Sequence, residues 1–166
     1  MGTRHWFAIQ VRSGWEKSIV LPIENKGYEV FSPTYRVERR WSDRIKALEL
    51  PLFKGYIFCR FDPNLKLSPL VATPGVIKIL GPPGRPEQVD EGEIECIRQV
   101  VSSHHKVYPH NFLTEGTKVK IVRGCLSGVE GLLVSIKNHH RLILSIDLLR
   151  RSVYVDMDAS WLAAEV

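Results

Sequence analysis

Apolar and polar positions alternate through most of the chain in short runs broken by Gly, Pro and Asn, a pattern that predicts many strands and few helices. His5 to Val11 predicts a first strand. A helix is predicted over Trp15 to Lys26, ended by Gly27. Pro22 inside it would remove a donor and clash with the preceding turn, so a kink or a start near Leu21 is expected. Tyr28 to Phe31 and Tyr35 to Trp41 predict two strands, with polar and basic residues to about Lys46 forming an exposed turn. Leu48 to Phe61 predicts one long strand, and Gly75 to Leu80 a short one closed by Gly81-Pro82-Pro83-Gly84. Asp90 stands three residues before Glu93, a capping-box spacing. Ile94, Ile97, Val100 and Val101 follow on one face, so a second helix is predicted.

After that helix the apolar rhythm lapses through Ser102-Ser103-His104-His105 and Pro109-His110-Asn111. The expected organisation is an N-terminal domain over 1–104, a linker over 105–114 and a second domain over 115–166. In the second domain, strands are predicted at Val119 to Arg123, Gly131 to Lys137, Arg141 to Asp147 and Ser152 to Asp156, with a last one near Trp161. Short, evenly spaced strands with Gly and Asn-His-His turns point to a small β-barrel, giving an α+β protein overall.

The run Pro51-Leu52-Phe53-Lys54-Gly55-Tyr56-Ile57-Phe58-Cys59-Arg60-Phe61 stands out. Read as a single strand, it sends Phe53, Gly55, Ile57, Cys59 and Phe61 to one side and Lys54, Tyr56, Phe58 and Arg60 to the other. The first side reads as core. The second, two rings between two cations, reads as a contact surface.

Composition narrows the class. A hydrophobic content of 44% with 25% charged residues fits a folded domain rather than a disordered chain. No apolar run approaches the roughly 20 residues a membrane helix needs. Met1 to Arg12 lacks the pattern of a signal peptide, so a cytoplasmic protein with no membrane partner is expected. Cys59, Cys96 and Cys125 are odd in number and far apart, which offers neither a disulfide framework nor a CxxC metal site. The net charge is +5, with 16 Lys and Arg against 12 Asp and Glu in residues 1–114 and 7 against 6 in residues 115–166. A basic balance favours anionic partners, mainly for the N-terminal part. No HExxH, GxSxG, P-loop or GxGxxG pattern occurs, and His104-His105 and His139-His140 lack companions at ligand spacing. No catalytic residue, metal or cofactor is therefore assigned, and a monomer is expected.

Three stretches together resemble the NusG family of transcription elongation factors, across nearly the whole chain. Trp6-Phe7-Ala8-Ile9-Gln10-Val11 followed by a helix is similar to the family's opening. Pro51 to Phe58, with Thr73-Pro74-Gly75-Val76 after it, is similar to its Phe-Pro-Gly-Tyr strand. Gly116-Thr117-Lys118-Val119-Lys120-Ile121 with Gly124, Gly128 and Gly131, closed by Leu148-Leu149-Arg150-Arg151-Ser152-Val153, is similar to a KOW motif. The resemblance implies an N-terminal domain with an antiparallel sheet flanked by helices, then an SH3-like KOW barrel.

It also implies a function that requires no enzyme chemistry: a bacterial elongation factor that docks on the RNA polymerase clamp helices, reaches the gate loop, and suppresses pausing or termination. Carried over, the clamp contact comprises Phe53, Tyr56 and Phe58, Ala8 and Gln10, and Ile97 and Val101; the gate-loop contact falls at Lys66, Leu67 and Ser68. Core packing is the alternative for these rings. Lys54 stands where the family usually has proline, and Gln10 where RfaH-like members have an aromatic, so a more polar pocket is expected. These departures favour a specialised antitermination paralogue over a housekeeping member. A KOW-type RNA- or ribosome-binding module is the competing class.

Two further surfaces are expected. Arg36, Arg39, Arg40, Arg44 and Lys46, interleaved with Tyr35 and Trp41, form a basic hairpin suited to upstream or non-template DNA, with a log-log salt slope of roughly −3 for about four phosphates. A solvated charged loop is the alternative. The KOW domain is nearly neutral, and the resemblance implies a protein partner there, Rho or a small-subunit ribosomal protein. Leu126, Val129, Leu149, Arg150 and Arg151 are the expected contacts, with core packing as the alternative for the three apolar ones. Arg150 occupies the family's usual glycine position.

Overall fold

A computed structural model describes residues 2–103, 105–113, 116–136 and 139–157. The chain forms two compact units. One comprises Met1–Pro33 with Phe53–Glu91, the other Thr34–Leu52 with Gly92–Val166.

The first unit is built on a sheet in the order β2-β5-β1-β6: β1 (His5–Val11), β2 (Glu29–Phe31), β5 (Tyr56–Phe61) and β6 (Val76–Ile79). β7 (Gln88–Val89) also pairs with β1, and every pairing is antiparallel. Phe7, Ile9 and Val11 of β1 and Ile57, Cys59 and Phe61 of β5 meet Ile19, Ile23 and Leu70 in one buried cluster. The Phe7 and Phe61 rings stack there at 4.3 Å. The first helix is short, α1 (Val20–Glu24), because Pro22 is tolerated only in a first turn, where its missing donor costs nothing. The start near Leu21 expected from Pro22 is observed one residue earlier, at Val20, and turns replace the helix over 16–19. The helix α2 (Ser68–Val71) is tied to Lys26, whose Nζ donates to the Pro69 carbonyl at 2.9 Å and to Thr73 Oγ1 at 2.7 Å.

The long strand expected over Leu48 to Phe61 is two strands with a turn between them. The turn closes where Tyr56 N–H donates to the Phe53 carbonyl at 3.0 Å, and Gly55 takes φ +85°, a conformation that side chains with a Cβ resist. The odd-even alternation therefore does not run through Phe53 and Lys54; it begins at Tyr56. Gly75 is constrained by contact as well as by φ, since a Cβ there would lie 2.5 Å from the Trp15 ring.

The second unit holds the hairpin β3 (Thr34–Trp41) and β4 (Arg44–Pro51), the helix α3 (Glu91–Ser102, from Gly92 onward), and a five-stranded antiparallel sheet. That sheet runs β8 (Val107–Asn111), β12 (Arg151–Met157), β11 (His139–Ile146), β10 (Glu130–Ile136), β9 (Thr117–Lys120). Val119, Ile121, Leu142, Leu144, Ile146, Val153 and Val155 are buried in it. Half of the residues expected as linker, 105–114, prove to be β8. Pro109 removes a donor and hides the strand in the sequence, but among the described residues β8 pairs only with β12 and lies at an edge, where proline is tolerated. The strand expected near Trp161 lies outside the described residues.

Candidate functional site

Register decides which residues share a surface. On the side of the first sheet opposite the buried cluster, Tyr56 lies across from Gln10, Phe58 across from Ala8 and Phe31, and Arg60 across from Trp6 and Glu29. Ala8, Gln10, Tyr56 and Phe58 thus come together as expected. Their exposure differs from the expectation. Phe58 and Ala8 are fully buried, and Phe53 is 1% exposed with its ring edge-on to Phe58 at 5.4 Å. Phe31 lies 6.2 Å from Phe58, and Trp6 6.4 Å from Phe31. Phe58 is therefore ring-packed core, and its cationic neighbours do not mark it as surface. Tyr56 and Gln10 are half-buried, and Lys54 is exposed at the turn.

Glu16 positions this turn and was not singled out in the sequence. Only 3% exposed, it accepts the Gly55 N–H on Oε1 at 2.7 Å, while its own carbonyl accepts the Ser32 hydroxyl at 3.4 Å. A contact across 39 residues leaves no local signature. Arg60 closes the far end of the face, its Nη2 at 2.9 Å from Glu91 and its Nη1 at 3.9 Å from Glu29. On the buried side, desolvation pushes the Cys59 thiol up to about 12 and raises Tyr28, with the Cys59 charge a second cause for the tyrosine.

Lys66, Leu67 and Ser68 lead into α2, with Lys66 and Ser68 exposed and Leu67 half-buried. Ile97 of α3 is fully buried and Val101 half-buried.

In the second unit, Leu126 and Val129, expected at the surface, have no exposure. The helix explains part of this: Gln99 Nε2 donates to the carbonyls of Cys125 and Ser127, at 3.1 and 3.0 Å, on either side of Leu126. Leu149 and Arg151 are half-buried and Arg150 is exposed. Arg150 adopts the left-handed conformation (φ 51°, ψ 44°) that a glycine would take without strain, and its guanidinium lies 4.1 Å from the Phe112 ring centroid. Arg36, Arg39, Arg40, Arg44, Lys46 and Trp41 are all exposed on the β3–β4 hairpin, whose tip is Ser42-Asp43. Among the described residues no three His, Cys, Asp or Glu side chains gather as a metal would require, and no helix is long and apolar enough to cross a membrane.

This arrangement matches known proteins. The family model described as "Transcription termination factor nusG" matches residues 4–98. The transcription termination/antitermination protein NusG of Helicobacter pylori (strain J99) is 25% identical over 164 residues, covering 92% of this chain and 93% of its own. NusG of Campylobacter jejuni is 26% identical over 168 residues, covering 95% of each. A solved structure of Thermotoga maritima NusG shares the fold at a TM-score of 0.56 and 18% identity, covering 96% of each chain. With more than half of its length matched by the family model, and a mostly antiparallel fold to agree, the chain belongs to the NusG family of transcription termination/antitermination factors.

Proposed function

We propose that this protein binds RNA polymerase through the surface around Tyr56 and suppresses pausing or termination, acting as a specialised antitermination member of its family. The observation that carries the reading is the family match over residues 4–98, which spans β1, the Phe53–Tyr56 turn and β5. Burial of Phe53, Phe58 and Ala8 assigns those residues to support, leaving Tyr56, Gln10 and Lys54 to touch the clamp helices. Lys54 adds a cation suited to acidic clamp residues, and Lys66 and Ser68 are available to the gate loop. The hairpin then meets upstream or non-template DNA. The second unit recruits Rho or a small-subunit ribosomal protein through Leu149, Arg150 and Arg151, without Leu126 and Val129. A cytoplasmic site of action follows from that role.

The test is elongation by purified polymerase on a template with defined pauses. Tyr56→Ala should abolish antipausing while leaving the melting temperature near that of the parent, because Tyr56 is half-exposed. Unchanged pausing with this variant would refute the assignment. The second reading, a housekeeping member that supports Rho-dependent termination, is favoured by the near full-length similarity to the two NusG relatives. Adding Rho to the same reaction separates the two: increased termination supports the housekeeping role, and read-through the specialised one.

A further inference from the structure

The β3–β4 hairpin segregates its charges by face. Residues opposed across an antiparallel pair project to the same side, and successive residues to opposite sides. Arg39 opposes Lys46, and Trp41 opposes Arg44, so these four share one face. Arg36 opposes Glu49, Glu38 opposes Ala47, and Arg40 opposes Ile45, so these six share the other. The paired residues of the first face carry three cations and no acid over its outer half, with Asp43 in the turn beyond them; those of the second set two arginines against two glutamates and are formally neutral. Trp41 is 61% exposed at the end of the cationic face. Further back on that face, Val37, Leu48, Tyr35 and Leu50 are half-buried, so its charge and its bare indole lie together at the tip.

We infer that the Trp41 face of the hairpin is a single-stranded DNA site, with an unpaired base stacked on the Trp41 indole and the flanking phosphates held by Arg39, Arg44 and Lys46. The inference rests on the proposed role of this hairpin in contacting DNA, and narrows it to one face and one form of DNA. An exposed ring flanked by cations is the composition of a stacking platform, and a base can stack on it only if it has left the duplex. The two cation-bearing pairs are two residues apart, about 7 Å along the strand, close to the separation of successive phosphates in an unpaired strand. Such a patch suits a short run of unpaired nucleotides and is smaller than the roughly 12 Å width of a duplex major groove. Three phosphate contacts replace the roughly four expected for the whole hairpin, and the salt slope falls from about −3 to about −2.

The experiment uses the purified full-length chain without polymerase and a fluorescein-labelled oligothymidine of about 12 nucleotides, the length of a single-strand site. Anisotropy titrations at several salt concentrations give affinity and slope. Trp41→Ala and Trp41→Leu should each weaken binding roughly 5- to 150-fold, while Trp41→Phe retains most of it. Arg39→Gln with Lys46→Gln should flatten the slope to about −0.7. Arg36→Gln with Arg40→Gln removes the same charge from the other face and should change neither quantity. Equal losses from the two double variants would show bulk attraction only and overturn the proposal. Full affinity in Trp41→Leu, or equal affinity for a duplex or RNA of matched length, would also overturn it. Unchanged melting of each variant shows that the hairpin is intact. Loss of polymerase binding by the unaltered chain would instead overturn the proposed function, which the oligomer titration alone does not touch.

Discussion

The buried carboxylate of Glu16 offers the sharpest test of how the candidate surface is held. It is 3% exposed, and its Oε1 receives the Gly55 N–H at 2.7 Å, across the turn that separates Phe53 from Tyr56. A hydrogen bond to a charged group contributes about 1.5 to 3 kcal/mol, and a buried donor left without a partner costs about 1 to 3 kcal/mol. These describe one loss from two sides, so Glu16→Ala should cost about 2 to 3 kcal/mol. Glu16→Gln keeps an acceptor oxygen and removes a carboxylate that is expensive to bury, so its cost should stay below about 1 kcal/mol. With an m-value of about 2 kcal/mol per M, urea midpoints should fall by about 1 M or slightly more for alanine and by less than about 0.5 M for glutamine. Both variants can then be assayed for pausing at a temperature where each is folded. The loosened turn in Glu16→Ala should weaken antipausing even in the folded protein. An alanine midpoint within about 0.2 M of the parent, with no loss greater than the glutamine variant's, would refute the claim that this bond holds the turn.

Two further predictions concern a strained backbone and a buried thiol. Arg150→Gly relieves a left-handed conformation costing about 1 to 2 kcal/mol but loses a ring contact of about 0.5 to 1 kcal/mol, so thermal melting should show it near neutral or slightly stabilised; Arg150→Ala keeps the strain, loses the contact, and should be the less stable. Cys59 has its folded pKa raised to about 12 against an ordinary 9.0, so its contribution to stability is fully present below pH 9 and is lost as pH rises toward 12. The unfolding free energy from urea titrations should fall between pH 9 and 11 at a rate approaching about 1.4 kcal/mol per pH unit, and Cys59→Ala should flatten that dependence, with Tyr28 supplying a smaller loss of the same sign.

What the sequence revealed follows from where each element's information resides. β1 appears with its observed bounds because His5 to Val11 is a local apolar run between polar residues. The Phe53–Tyr56 turn was missed because an alternating pattern passes smoothly through Gly55; the break is imposed by the Gly55 conformation and by Glu16, 39 residues away. β8 was missed because its pairing with β12 is non-local and Pro109 disguises its alternation. Leu126 and Val129 illustrate the hardest case. An apolar residue in a glycine-rich loop reads equally well as contact or core, and the decision lies in tertiary contacts such as the Gln99 bonds on either side of Leu126.

Register and burial together decide which candidate residues can meet a partner. Phe53, Phe58 and Ala8 were grouped with Tyr56 and Gln10 by resemblance, and the register of β1 with β5 does bring Ala8, Gln10, Tyr56 and Phe58 to one face. Burial then divides that face into side chains available to a partner and side chains that hold them in place. Under the proposed polymerase contact, substituting Phe58 would disturb binding only through its packing with Phe31 and Phe53, whereas substituting Tyr56 or Lys54 would remove atoms that touch the partner. In the hairpin the division runs the other way: every basic residue is exposed, and only the register separates the cationic face of Trp41 from the neutral face of Ile45. Burial selects the candidate residues in the sheet, and pairing selects them in the hairpin. A residue in either place earns a functional role only after both have been applied.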